Sequence, residues 1–160
     1  MGFITFENVE REYHIGESII KAVDGINFNI SRGTFNVVLG QSGAGKTTLL
    51  NLLGGMDSPT SGKIVVNGKE ISGMSEYKLT EYRRTQIGFV FQFYNLVPNL
   101  TALENVQLAE EICCDPLDAR DMLRRVGLEN RMDNFPSQLS GGEQQRVSIA
   151  RALAKNPQIV

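Results

Sequence analysis

Gly40-Gln41-Ser42-Gly43-Ala44-Gly45-Lys46-Thr47-Thr48 fits the pattern G-x-x-x-x-G-K-[ST] between a β-like run, Thr34 to Leu39, and a leucine-rich run, Lys46 to Leu53, that Gly54 can end. Strand, glycine loop, helix is the order this pattern requires. Glycines at 40, 43 and 45 let the backbone curl so that successive N–H groups point inward, which makes an anion-binding nest at the positive end of a helix. Lys46 adds a mobile charge for β- and γ-phosphates, and the Thr47 hydroxyl is an oxygen ligand suited to Mg²⁺. A tight glycine turn with a surface lysine would account for the loop but not for the strand and helix around it. A nucleoside triphosphate is the expected ligand.

The chain has 160 residues, enough for one domain with its own core. Hydrophobic residues make up 41% and charged residues 21%, and no apolar run approaches the roughly 18–20 residues that cross a bilayer. Neither a spanning helix nor a disordered chain is expected. With 16 basic and 18 acidic side chains the net charge is -2, so no basic field attracts nucleic acid and phosphate recognition must be local. Met1 to Glu7 shows no basic segment followed by an apolar one, and Phe6 stands where a myristoylation pattern needs Ser or Thr; no export signal or lipid anchor is expected. Cys113 and Cys114 are adjacent and lack metal-ligand spacing, which fits reduced cytosolic thiols.

Turn residues bound β-like runs at Gly2 to Val9, Ala22 to Ile30, Thr34 to Leu39, Lys63 to Val66 and Ile87 to Phe91, with Asn67-Gly68 as a hairpin turn. From Thr101 onward helices dominate. Thr101 with Glu104 makes a capping box, Asp115-Pro116 offers a cap followed by proline at the first helical position, and Gly127 closes that second helix. A third helix starts at Ser140, capped with Glu143, and runs to Asn156-Pro157.

A GTPase would need D-x-x-G and N-K-x-D patterns, and neither occurs. A second glycine motif, Leu139-Ser140-Gly141-Gly142-Glu143-Gln144-Gln145-Arg146-Val147, stands at a helix start, where bare amides and a hydroxyl form another phosphate site. An ordinary capping box explains Ser140 and Glu143 but not the paired glycines, which weaken a helix. Two such helix starts in one chain imply that two copies share each nucleotide.

On these motifs the whole chain resembles the ATP-binding cassette (ABC) family: Gly40 to Thr48 is similar to its Walker A motif and Leu139 to Arg146 to its signature motif. The resemblance implies an α/β, P-loop NTPase (RecA-like) core with an N-terminal antiparallel β subdomain and a helical signature subdomain, incomplete at the C-terminus. Residues 1–91 would be the β subdomain and P-loop nucleus, 92–157 the Q-loop and helical subdomain, and 158–160 the start of the Walker B strand. It also implies ATP and Mg²⁺ as cofactors, contact of Gln92 with Mg²⁺ and the attacking water, and an adenine stacked on Tyr13. Ser140, Gly141, Gly142 and Glu143 would reach a nucleotide held by a second ATP-binding subunit in a head-to-tail dimer. The further partner would be a transmembrane permease subunit, which places the chain in the cytoplasm at the inner face of the membrane. Read as residues alone, Gln92 is equally a polar strand terminus and Tyr13 equally a plain surface or core aromatic. Glu143 replaces the commoner Gln, and either completes a capping box.

Within the family, Tyr82 to Gln92, Asn95 to Pro98 and Thr101 to Val106 resemble the branch serving lipoprotein release, macrolide export and antimicrobial-peptide resistance. Phe93, Tyr94 and Leu96 would line a groove for a cytoplasmic helix of the permease, or serve as core. Gln158-Ile159-Val160 opens a run that in the family leads to the Walker B aspartate and a glutamate base, and no run of four apolar residues followed by Asp occurs in the chain. The only histidine, His14, is too early to be the family's switch histidine. General base catalysis is worth about 10²–10⁴ in rate, so these 160 residues are expected to bind nucleotide weakly without hydrolysing it. Thr34 to Leu39 is expected at an open sheet edge. The alternatives are a non-hydrolysing interaction module and a soluble ABC ATPase; repair-type members carry a long coiled coil where only a short helical stretch separates Gln92 from Leu139 here.

Overall fold

In the computed structural model, which describes residues 2–160, the first long element is strand β1, Ile4–Ile15, and Ser18–Ile30 returns against it as the antiparallel strand β2. Both run further than the expected strands because Gly16, at φ +59°, closes them into a hairpin. Ile4, Thr5 and Phe6 are all buried, and after a register shift between Phe6 and Val9 the chain is buried again at Val9. Phe6 stacks on its cross-strand partner Phe28, with ring centroids 4.4 Å apart. Strand β3, Ser61–Val66, pairs with the other edge of β1, and β4, Lys69–Glu70, follows after Asn67-Gly68, both at positive φ as a tight hairpin turn requires. The sheet order is β2-β1-β3-β4, antiparallel throughout.

Helix α1, Lys46–Leu53, follows the glycine loop as expected and buries Leu52. The run before the loop differs: Thr34 to Leu39 forms no strand, and Phe35 is 94% exposed. A strand exists only as part of a ladder, and no described residue supplies a ladder partner for this run, so the Phe35 to Leu39 amides are left to water.

The chain forms two compact units that divide between Thr80 and Glu81, with helix α2, Glu76–Gln86, running across the division. This helix was not among the sequence expectations, because it is polar on most faces and buries only Leu79 and Tyr82.

In the second unit, α3 (Ala102–Glu111), α4 (Ala119–Arg125) and α5 (Gly141–Ala154) enclose one apolar core. Leu123, Leu128 and Val147 are fully buried at its centre, each stabilising by about 1.5–3 kcal/mol relative to exposure. Ala102, Ala119, Ala150 and Ala154 line the same core and leave room for close helix approach. The capping box at Thr101 and the closing Gly127, at φ +71°, are present. The second helix starts later than Asp115-Pro116 would have it: Asp118 is the cap, accepting from the Asp121 amide at 2.8 Å. The Leu117 amide is held by the Ala154 carbonyl at 2.8 Å and its side chain packs on the core, which keeps 116–117 out of the helix.

Ile87 to Phe91 does not form the expected strand either. Ile87 makes a single parallel bridge with Ile159, and the Gly88 amide donates to the Ile159 carbonyl at 2.8 Å. No helix among the described residues is long and apolar enough to cross a membrane.

Candidate functional site

The glycine loop is built by conformations that other residues resist. Gly43 and Gly45 take φ of +82° and +79°, and Gly45 is the cap of α1. A side chain at Gly45 would run into the Ala22 carbonyl on β2, so a bare backbone is required there twice over. The opening amides of α1, at Lys46, Thr47 and Thr48, have no carbonyl one turn back, and their positive ends face the loop. The Lys46 ammonium folds onto its own loop and donates to the carbonyls of Gly40 at 2.8 Å and Gln41 at 2.6 Å. Gly40 to Ala44 are exposed, and the Thr47 hydroxyl is also exposed and makes no hydrogen bond among the described residues. The cradle therefore offers amides, a hydroxyl and a cation that exchanges two neutral acceptors for an anion. Such an arrangement suits a phosphate chain.

Tyr13 lies on β1 opposite Ile20 of β2, two residues along β2 from the Ala22 carbonyl that Gly45 touches. Its hydroxyl donates to Asp57 at 2.6 Å. The same carboxylate takes a two-pronged contact from Arg11, with Nε at 2.9 Å and Nη2 at 2.7 Å, while the guanidinium carbon stands 4.5 Å from the centroid of the Tyr13 ring. Asp57 and Arg11 were not foreseen as site residues. Asp57 is 44 positions from Tyr13, and no spacing rule joins them.

In the second unit, Gln92 sits exposed in a turn and makes no hydrogen bond among the described residues. Tyr94 and Asn95 follow at φ of +59° and +49°, and Arg151 of α5 holds their carbonyls at 2.8 and 2.7 Å. Of the aromatic run, Phe93 is 82% exposed, whereas Leu96 packs against the helical core.

Ser140 caps α5 as the pattern requires. Its hydroxyl accepts from the Glu143 amide at 3.3 Å, and its own amide donates to the Glu143 carboxylate at 2.8 Å. That backbone hydrogen bond, with help from the Ser140 hydroxyl, holds the Glu143 carboxyl below the usual carboxylate range. Gly141 and Gly142 are exposed, and their amides, at the first two positions of the helix, have no intrahelical acceptor. A Cβ on Gly141 would meet the Tyr94 hydroxyl at 3.5 Å, an ordinary van der Waals contact, so packing does not by itself require a glycine there.

The Thr47 hydroxyl and, in the other unit, the Gln92 side chain each carry a neutral oxygen of the kind Mg²⁺ takes alongside phosphate and water. Among the described residues no group of three or more His, Cys, Asp or Glu side chains gathers to hold a metal without a nucleotide. Neutral donors of this kind suit an ion that arrives with its phosphates.

A profile of the ABC transporter family matches residues 23–160, and the chain belongs to that family. An uncharacterized ABC transporter ATP-binding protein of Mycobacterium tuberculosis is 46% identical over 162 residues, covering 98% of this chain and 65% of the relative. A second, of Thermotoga maritima, is 46% identical over 155 residues, covering 94% of this chain and 66% of its own length. The chain thus spans about two-thirds of the length of these two curated relatives. Among solved structures, the dimeric MJ0796, a bacterial ABC transporter cassette, superposes with a TM-score of 0.87 at 43% identity, covering 96% of this chain and 70% of that one. A post-hydrolysis state of the same cassette, bound to ADP and Pi, gives a TM-score of 0.87 at 42% identity with the same coverage. The fold is that of an ABC ATPase cassette, of the α/β P-loop type.

Proposed function

We propose that this chain is the nucleotide-binding part of an ABC transporter's ATP-binding subunit, holding ATP and Mg²⁺ to power export or release of a substrate through a transmembrane permease. The observation that carries the reading is the cradle at Gly40 to Thr48, with Gly43 and Gly45 left-handed and the Lys46 ammonium held, among the described residues, by loop carbonyls alone. Backbone amides and Lys46 bind the phosphates, Thr47 and Gln92 hold the metal, and Tyr13 takes the adenine. Bound Mg²⁺ neutralises charge on the β- and γ-phosphates. Ser140, Gly141, Gly142 and Glu143 meet the nucleotide of a second ATP-binding subunit, arranged head to tail, so that binding closes the pair. The similarity to a dimeric cassette supports that arrangement. Residues 1–91 work as the β subdomain and P-loop nucleus, 92–157 as the Q-loop and helical part, and 158–160 as the start of the Walker B strand. The place of action is the cytoplasmic face of the membrane, and the transporter belongs to the lipoprotein-release, macrolide-export and antimicrobial-peptide branch.

A polypeptide of these 160 residues binds nucleotide weakly without turning it over, since no run of four apolar residues followed by Asp occurs within it. Titration with a fluorescent ATP analogue, with and without Mg²⁺, tests the reading. Saturable binding that Mg²⁺ strengthens and Lys46→Ala removes is the expected result, and binding indifferent to Lys46→Ala overturns it. Phosphate release that Lys46→Ala abolishes would overturn the claim of no turnover.

A further inference from the structure

We infer that Arg11 and Asp57 are positioning residues for the base, fixing the Tyr13 ring so that one face is covered and the other is left for a purine. The inference rests on the reading that Tyr13 takes the adenine.

One carboxylate organises three groups. Asp57 accepts the Tyr13 hydroxyl at 2.6 Å and both donor atoms of Arg11, Nε at 2.9 Å and Nη2 at 2.7 Å. Arg11 stands two residues before Tyr13, on the same face of β1, and its guanidinium lies over the ring at 4.5 Å from the centroid. A tyrosine ring on a strand otherwise rotates about two torsions. Here the hydroxyl anchors its far end and the guanidinium closes one face, so the ordering that a stacked base requires is already in place.

The anchor is also tied to the phosphate cradle's own helix. Asp57 follows the end of α1, and the Met56 and Asp57 amides fold back onto the Asn51 carbonyl within it, at 2.9 and 3.3 Å. The eight-residue helix that opens in the phosphate cradle therefore leads, through the turn after its last residue, to the carboxylate that holds the ring. The triad acts on a flat base and does nothing for a bare phosphate chain.

The probes are ATP and inorganic tripolyphosphate, each titrated into the chain and into Tyr13→Ala, Tyr13→Phe, Asp57→Ala and Arg11→Gln. Stacking of a base on an aromatic ring corresponds to about five- to a hundredfold in affinity, so Tyr13→Ala is expected to lose ATP affinity in that range and to keep tripolyphosphate affinity. Asp57→Ala and Arg11→Gln should each lower ATP affinity severalfold and leave tripolyphosphate within twofold. Tyr13→Phe, which keeps the ring and loses only its anchor, should fall between wild type and Tyr13→Ala. If Tyr13→Ala lowers the ratio of ATP to tripolyphosphate affinity while Asp57→Ala and Arg11→Gln do not, the positioning role is overturned and base stacking survives. Equal loss of both ligands in Asp57→Ala and Arg11→Gln also overturns it, because that is loss of fold. A ratio indifferent to Tyr13→Ala overturns the base-stacking reading itself.

Discussion

The backbone of Gly45 presses so closely on the Ala22 carbonyl of β2 that no side chain fits between them. Gly45→Ala adds a methyl group where both the left-handed φ and the neighbouring backbone oppose it. It should destabilise the chain by about 2 kcal/mol or more and abolish ATP binding. Gly43, also left-handed, faces open space, so Gly43→Ala should cost about 1–2 kcal/mol, from backbone strain alone. Urea midpoints that come out equal for the two variants would contradict this ordering.

Asn105 is fully buried and makes four hydrogen bonds: Oδ1 accepts from the Val97 amide at 2.7 Å, and Nδ2 donates to Val97, Leu100 and Thr101 at 3.1, 3.0 and 3.0 Å. It staples the 97–101 segment to α3. Asn105→Leu leaves a buried amide unpaired and should cost about 2–4 kcal/mol. Equilibrium urea unfolding reads it, and a loss under about 1 kcal/mol would show that water replaces the staple.

Acid should loosen two helix starts before it unfolds the chain. Glu104 and Glu143 are both held below the ordinary glutamate value of 4.5, chiefly by the backbone amides of Thr101 and Ser140. A lowered folded value means the contribution is present above 4.5 and fades as pH falls through the lowered values. Circular dichroism against pH should show helix loss in that window. Glu143→Gln keeps the cap without a titrating group and should flatten part of the curve; an unchanged curve would locate the acid transition elsewhere.

Ser148 on α5 is completely buried, and its hydroxyl has no partner among the described residues. Ser148→Ala removes that unpaired group and improves helix propensity. Stability should rise by about 0.5–1.5 kcal/mol, read as a higher melting temperature. A lowered melting temperature would mean that the hydroxyl is bound to something.

Much of the site is legible where recognition depends on neighbours in sequence. Gly40 to Thr48 and the Ser140–Glu143 box are local patterns, and the backbone obeys them because cap and loop geometry are decided within a few residues. Thr34 to Leu39 and Ile87 to Phe91 read as strands by composition, yet pairing is a property of partners, and the ladder did not form at the first and shrank to one bridge at the second. Helix α2 escaped prediction for the opposite reason: only Leu79 and Tyr82 mark its buried stripe, too few to show a period. The Arg11–Tyr13–Asp57 cluster was invisible because a sheet hairpin and a helix end had to meet before those side chains could touch.

The unpaired run before the glycine loop sets a clock. Exchange of a backbone proton for solvent deuterium waits on the breaking of its hydrogen bond, and none of the Phe35 to Leu39 amides has one to break among the described residues. In a brief deuterium pulse these protons are replaced at the chemical rate, while those of Phe6 and Ile64, in the paired heart of the sheet, wait for larger openings. The phosphate cradle thus hangs from a tether that labels at once on one side and from a slowly labelling helix on the other, and it should take an intermediate place between them.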